Sequence, residues 1–325
     1  MSRTHQQPSV PCIDLQDSEP KLLDALDHAL TTTGFVLVDG HGIPADLTRA
    51  LRQLMIHYFS RSTAAKQAEA ITPDNYRGYI PLGFFTANSR GRTPDHYEGY
   101  KLHQEIPPEA PICQQCGLYG PNRWPAEPPG LRDVVLDYWQ HCDQVSRRLL
   151  AMLAAILEID TVQFLSLFDQ PLTNMTLLHY PAQEPSAEGF GIHPHKDTDA
   201  LTLLFPDPNG GLWLRPREQR DWLEINAPEQ TLIVNIGDLL ELWSGGRFVS
   251  TPHKVVNRSG APRYTFPYFV VPRHDVVVSS LVSPQPGFQR GPVQVGDVSQ
   301  EVWRTNWPDA QPSTQGFDLG TLSDN

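Results

Sequence analysis

A short segment in the second half of the chain concentrates side chains that bind metal ions. His195 and Asp197 stand two positions apart within residues 191–199. In an extended strand, residues i and i+2 point to the same face, so both side chains can enter one cavity. With one more distant histidine they would form a triad of two imidazoles and a carboxylate, which leaves about three positions open on octahedral Fe(II). Because His-x-Asp alone also occurs by chance on solvated loops, the prediction depends on the rest of the chain.

Two features further along the chain support a site of this kind. His253 lies in a β-like run, residues 251–258, and can supply the second imidazole. Arg263 and Thr265 then alternate in the next strand-like run, so they share a face. A guanidinium and a hydroxyl on one face can bind a carboxylate together.

At this point the chain resembles the isopenicillin N synthase-like iron(II)/2-oxoglutarate-dependent dioxygenases. The resemblance runs from Ile13-Asp14-Leu15 through the last jelly-roll strand. The linked motifs stand in the family's order and approximate spacing: His195-x-Asp197, Leu201-Thr202-Leu203-Leu204, Gly210-Gly211-Leu212, Asn235-Ile236-Gly237-Asp238, Ser250-Thr251-Pro252-His253-Lys254-Val255 and Arg263-x-Thr265.

The resemblance implies roles for particular residues. It implies that the ligands of Fe(II) are His195, Asp197 and His253, which are then also the catalytic residues. The far carboxylate of 2-oxoglutarate would be bound by Arg263, Thr265 and Tyr180. The family usually has Ser where Thr265 stands, and threonine keeps the hydroxyl.

The implied reaction oxidises a small-molecule substrate with dioxygen and converts 2-oxoglutarate into succinate and carbon dioxide. Hydroxylation in specialised metabolism is the expected outcome, and ascorbate is a candidate reductant. An alternative is an iron oxidase or cyclase of the isopenicillin N synthase type, which uses no 2-oxoglutarate. A second alternative is a jelly-roll binding protein without catalysis. The joint presence of both histidine ligands, Asp197 and Arg263 argues against it.

Three neighbouring residues leave the ligand assignment open. Asp199 shares the strand face of Asp197 and is a rival ligand, although the spacing to residues 201–204 favours Asp197. His193, two positions before His195, is a wall of the pocket or a support of the ligand, with a surface position nearly as plausible. His179 is expected to be structural.

The elements around these motifs predict a mixed fold. Apolar spacing predicts helices at about 19–32, around 47–58 and at about 131–157, and Gly34–Val38 as a strand. Residues 72–129, rich in Pro and Gly, indicate long loops in which Arg77, Phe84, Phe85 and Tyr97 are candidates for a substrate cavity. Short strand-like runs follow one another closely in the second half. They are 175–180, 201–205, 211–214, 221–225, 231–235, 247–249 and 263–266.

Together these patterns predict a mainly β fold with α-helices. Its core is a double-stranded β-helix, or jelly roll, with N-terminal helices and a long supporting helix. The predicted division is 1–130 for the N-terminal region and pocket loops, 131–291 for the catalytic core, and 292–325 for a tail that covers it.

Composition narrows the range of partners. A formal charge of −12 without a run of basic residues argues against nucleic acid. No run approaches the roughly 20 apolar residues that a membrane span needs, and the N-terminus has no apolar signal core, so we expect a cytoplasmic protein that does not bind membranes. We expect a monomer or weak homo-oligomer. The isolated pair Cys113 and Cys116 is expected to be two reduced loop thiols.

Overall fold

The structure is a computed structural model that describes residues 10–85, 93–184, 189–217, 219–305 and 307. Its helices are α1 (Glu19–Thr32), α2 (Ala45–Phe59), α3 (Thr63–Gln67), α4 (Pro111–Gln115), α5 (Leu131–Ile156), α6 (Thr161–Ser166), α7 (Asp238–Trp243) and α8 (Val295–Thr305). Its strands are β1 (Cys12–Asp14), β2 (Phe35–Asp39), β3 (Gly78–Ile80), β4 (Glu98–His103), β5 (Asn174–Tyr180), β6 (Ile192–His195), β7 (Leu201–Leu204), β8 (Leu212–Leu214), β9 (Leu223–Glu224), β10 (Leu232–Ile236), β11 (His253–Val255), β12 (Arg263–Thr265), β13 (Tyr268–Val270), β14 (Val277–Val278) and β15 (Val293–Gln294).

Two sheets make up the jelly roll. The larger has the order β1-β2-β10-β7-β13-β5-β4-β3, with β12 also paired to β5. The smaller has the order β6-β11-β8-β9. Every pairing in these two sheets is antiparallel except that of β1 with β2. The predicted fold class is therefore confirmed.

The larger sheet is buried on both faces, which explains the continuous apolar runs of its central strands. In β2, Val36 and Val38 pack into the cluster that contains the helices. Phe35 and Leu37, which point the other way, belong to a second apolar cluster shared with strands of the smaller sheet. The inner faces of the two sheets thus enclose one apolar interior.

The long helix α5 packs against the outer face of the larger sheet. Its apolar residues recur at helical spacing and bury one side, and Trp139 meets Tyr268 of β13 edge to face at 5.0 Å. The predicted helix at about 131–157 is confirmed to within one residue. A residue with positive φ, Gly130 at 82°, precedes the helix.

The structure differs from the sequence-based prediction in several places. Residues 247–249 are not a strand, because the helix α7 ends at Trp243 and the turn at Gly245-Gly246 follows it, with φ of 61° and 79°. Part of the region predicted as loops forms β3 and β4, which extend the larger sheet. The predicted tail contains the short strand β15 and the helix α8 among its described residues.

Among the helices of the described residues, none combines the length and the apolarity that crossing a lipid bilayer requires.

Candidate active site

Three predicted metal ligands meet at one edge of the smaller sheet. His195 at the end of β6 pairs with His253 at the start of β11, and Asp197 lies two residues beyond the end of β6. One ligand atom from each of the three residues lies within 4.8 Å of the others. Asp197 Oδ1 is 3.7 Å from His195 Nε2 and 3.6 Å from His253 Nε2. Two imidazole nitrogens and a carboxylate oxygen on three corners of a small triangle fit an Fe(II) ion with open positions.

Backbone carbonyls orient both imidazoles. The Nδ1 atom of His195 lies 2.8 Å from His193 O, and that of His253 lies 3.1 Å from Thr251 O. Because a carbonyl only accepts, each Nδ1 carries the proton and each Nε2 presents a lone pair to the centre of the triangle. Burial lowers the pKa of His253 to about 4, so this ring is neutral at pH 7, as a metal ligand must be.

Two side chains from the inner face of the larger sheet hold the carboxylate of Asp197. Its Oδ2 accepts hydrogen bonds from Thr202 Oγ1 at 2.6 Å and from Asn235 Nδ2 at 2.8 Å. The other oxygen of Asp197, Oδ1, therefore points towards the two histidines. Burial alone would raise the pKa of Asp197, but His253, His195 and the two hydrogen bonds lower it below its usual value. Asp197 is therefore an ionised carboxylate with one oxygen already oriented towards the centre of the triangle.

The rival ligand, Asp199, lies outside this triangle. Its Oδ2 is 2.8 Å from Thr202 Oγ1, and burial together with the charge of Asp197 raises its pKa well above the usual range. A hydroxyl has one hydrogen, which Thr202 gives to the ionised Asp197. Neutral Asp199 can then donate to Thr202 Oγ1, and so supports the ligand indirectly.

A glycine makes room for Asp199 in this position. A Cβ on Gly237 would lie 2.1 Å from Asp199 Oδ1 and 2.2 Å from Asp199 O. Any side chain at this position would displace the loop that carries Asp197. The Asn235-Ile236-Gly237-Asp238 motif thus serves the candidate metal site through Asn235 and Gly237.

Replacing Thr202 with valine tests this support. The change keeps the shape of the side chain but removes the hydroxyl that holds Asp197, so we expect Fe(II) affinity to fall by about 10- to 100-fold. Competition with a chelator measures the affinity. The control is Thr72→Val, because Thr72 is exposed and distant in sequence from the site. An unchanged affinity in Thr202→Val would show that the hydrogen bond has no role in metal binding.

A second group of polar residues stands on β12 and β5. Arg263 pairs with Tyr180, and its guanidinium carbon lies 4.8 Å from the centre of the Tyr180 ring. Arg263 Nη1 is 3.4 Å from Thr265 Oγ1. All three residues are almost fully buried. Among the residues that the structure describes, no carboxylate lies within ion-pair distance of the Arg263 guanidinium. A buried guanidinium with an adjacent hydroxyl is suited to a ligand carboxylate.

The Gly210-Gly211 turn fixes the guanidinium. Arg263 Nε donates to Gly210 O at 2.8 Å, which leaves the Nη groups for a ligand. Both glycines have positive φ, 65° and 85°. A Cβ on Gly211 would also lie 2.5 Å from Val256 O. Glycine is therefore required for both the turn and the close approach of the chains.

The two polar groups face the same apolar interior. Phe35 contacts the His253 ring edge to face at 5.6 Å, and both Phe35 and Tyr180 belong to the apolar cluster between the sheets. Gly191, just before β6, packs against the Tyr180 ring so closely that a Cβ would approach it to 2.7 Å. The metal triangle and the group around Arg263 therefore border the same interior.

The side chains of His193, His179 and Arg77 contact groups other than the metal ligands. His193 is buried, with Nδ1 at 2.5 Å from Asp95 Oδ1, so a surface position is excluded. His179 lies 2.8 Å from Glu98 and outside the metal triangle, as expected for a structural histidine. Arg77 is buried and donates to Leu118 O, away from the ligand residues.

Aromatic residues form a continuous wall in the interior. Phe84 meets Phe85 at 5.2 Å, Phe85 meets Tyr97 at 6.1 Å, and Tyr97 meets Tyr180 at 5.9 Å. The three aromatic residues predicted to line the cavity are thus connected to Tyr180, the residue expected to bind 2-oxoglutarate.

The pair Cys113 and Cys116 is separate from this wall. Both thiols are free, and Cys113 lies in α4 rather than in a loop.

Comparison with known families agrees with this geometry. Residues 10–127 match the family described as non-haem dioxygenase in morphine synthesis N-terminal. Residues 172–272, which contain both polar groups, match the 2OG-Fe(II) oxygenase superfamily.

Relatives match most of the length of this chain. The chain is 30% identical over 273 residues to the validamycin A dioxygenase of Streptomyces hygroscopicus subsp. limoneus, and the match covers 78% of this chain and 73% of that one. It is 29% identical over 289 residues to the 2-oxoglutarate-dependent dioxygenase thnC of Trichoderma harzianum, covering 85% and 88%. Among solved structures, a full-length protein of Neurospora crassa in complex with alpha-KG superposes with a TM-score of 0.78 at 25% identity, covering 90% of this chain and 95% of that one.

Proposed function

Because this chain belongs to the 2OG-Fe(II) oxygenase superfamily and is a non-haem iron(II), 2-oxoglutarate-dependent dioxygenase, we propose that it hydroxylates a small molecule with its iron held by His195, Asp197 and His253. The observation that carries this assignment of residues is the triangle of ligand atoms within 4.8 Å. Relatives named for specialised metabolites, such as the validamycin A dioxygenase, support a role in specialised metabolism.

The protein's contribution to the reaction is binding and orientation. Iron and 2-oxoglutarate, when bound, would activate dioxygen. In the overall reaction, 2-oxoglutarate is converted to succinate and carbon dioxide while a C–H bond of the substrate becomes C–OH. Arg263 neutralises the far carboxylate of 2-oxoglutarate, and Thr265 and Tyr180 fix its position. The apolar wall keeps bulk water from the reacting groups.

The experiment is a substrate screen that follows succinate. Purified protein with Fe(II), ascorbate and 2-oxoglutarate is incubated with small molecules, and succinate and oxidised product are quantified together. The proposal predicts succinate and product in equal amounts, with no product when 2-oxoglutarate is left out. Product formation without 2-oxoglutarate would favour the oxidase or cyclase alternative.

Three further expectations remain predictions from the sequence. They are a cytoplasmic location, a monomeric or weakly associated state, and the division into 1–130, 131–291 and 292–325. The pairing of β2 from the first region with β10 from the second supports treating these regions as parts of one folded unit.

A further inference from the structure

Lys101 on β4 places a positive charge inside the jelly roll. Its Nζ donates to Asn174 Oδ1 at 2.6 Å and to Thr176 Oγ1 at 3.1 Å, both on the neighbouring strand β5. No carboxylate of the described residues lies within ion-pair distance of this ammonium. An ammonium has three N–H donors, so one remains for a ligand.

The ammonium lies on the same face of the sheet as the proposed iron ligands. Lys101 Nζ is 5.1 Å from the centre of the Phe269 ring on β13. Phe269 pairs with Thr202 on β7, and Thr202 donates to Asp197. Because directly paired residues of adjacent strands share a face, this row leads from Lys101 to the metal triangle. The charge of Asp197 also acts on the pKa of Lys101.

Aromatic rings surround this cation. Tyr76 lies 5.9 Å from Lys101 Nζ, measured to the ring centre. Trp303, from the C-terminal helix α8, contacts Tyr76 at 5.0 Å and His103 at 5.2 Å. Burial lowers the pKa of His103 well below its usual value, so this ring is neutral and adds no charge. These rings form an apolar surface beside the ammonium of Lys101.

The cation is costly unless something neutralises it. Burial lowers the pKa of Lys101 to about 7, and the ionised Asp197 only partly offsets this because it acts from a distance. A ligand carboxylate at the free N–H would neutralise the charge directly. Arg263 is already assigned to 2-oxoglutarate.

We propose that Lys101, with Asn174 and Thr176, forms the subsite that selects the primary substrate, and that this substrate is a small aromatic carboxylic acid. The carboxylate binds Lys101, and the ring packs against Phe269, Tyr76 and Trp303. This arrangement directs the carbon chain next to the carboxylate towards the metal triangle. The inference rests on the proposed function, because it takes the site of oxidation to be that triangle.

Matched acids and amides test the subsite. The probes are phenylacetate and phenylacetamide, cinnamate and cinnamamide, and indole-3-acetate and indole-3-acetamide, titrated anaerobically by calorimetry into protein loaded with Fe(II) and 2-oxoglutarate. We expect at least one acid to bind more tightly than its amide by on the order of 10- to 100-fold, the effect of a hydrogen bond to a charged group. In Lys101→Met this preference should fall to within about threefold while amide binding is kept.

The control variant is Lys21→Met, which removes an exposed lysine that pairs with Asp17 on the surface. It should keep the full preference for the acid. The proposal is overturned if the unaltered protein binds no acid more tightly than its amide, or if Lys101→Met keeps the preference.

The binding of 2-oxoglutarate is measured in the same proteins before the probes are added. Normal 2-oxoglutarate binding without any preference for acids would overturn the subsite and leave the proposed function intact. Failure of the unaltered protein to bind Fe(II) and 2-oxoglutarate would overturn both.

Discussion

Asp197→Asn will lower Fe(II) affinity by on the order of 100-fold or more, since loss of an outer partner alone typically costs 10- to 100-fold. The amide keeps the size of the side chain, but it removes the negative charge and the second oxygen that the metal triangle requires. Asn235 and Thr202 would still hold one end of the side chain, so the fold should survive. Chelator competition measures the affinity, and circular dichroism checks the fold.

The matched variant is Asp199→Asn. The raised pKa of Asp199 makes it a neutral group, and asparagine mimics a protonated carboxyl that donates to Thr202. Iron affinity should therefore stay within about threefold, a change of under about 1 kcal/mol. The reverse result, with Asp199→Asn losing iron and Asp197→Asn keeping it, would show that Asp199 is the ligand.

Arg263→Met will raise the KM for 2-oxoglutarate by on the order of 100- to 1,000-fold, while Fe(II) affinity without 2-oxoglutarate stays unchanged. Removing one partner of a buried ion pair costs about 3–5 kcal/mol, and the methionine leaves the ligand carboxylate unpaired in an apolar interior. Thr265→Val removes one neutral donor and should cost only about fivefold. Succinate production at varied 2-oxoglutarate concentration measures both effects.

The control for this series is Arg258→Met. Arg258 is exposed and close in sequence to β12, so the change removes a guanidinium without touching the interior. Its KM for 2-oxoglutarate should match that of the unaltered protein. If Arg263→Met behaved like Arg258→Met, the far carboxylate of 2-oxoglutarate would have to bind elsewhere.

The metal triangle could be foreseen because its geometry is mostly local. His195 and Asp197 are two positions apart, and the alternation of a strand is enough to give them a common direction. Placing His253 opposite them needed the family resemblance, because the pairing of β6 with β11 joins residues about sixty positions apart and no periodicity encodes it.

The supports of the triangle were harder to foresee. Thr202 and Asn235 each interrupt an apolar strand with a polar residue, and that interruption was the available signal. Lys101 gave no such signal, because β4 lies in a region rich in Pro and Gly that indicated loops. Its strand is stabilised by pairing with β5, a contact between residues more than seventy positions apart. The helix α7 was missed for a related reason: it is short, and every residue in it is buried, so it has no amphipathic pattern.

The central claim is that His195, Asp197 and His253 bind an iron that receives 2-oxoglutarate. The most direct measurement is the visible absorption of the apoprotein on anaerobic addition of Fe(II) and then 2-oxoglutarate. We predict a weak band that appears only when both are present, is absent in His253→Ala, and persists in the surface variant Arg258→Met. A protein that gives no band, or a His253→Ala variant that gives the full band, would contradict the assignment.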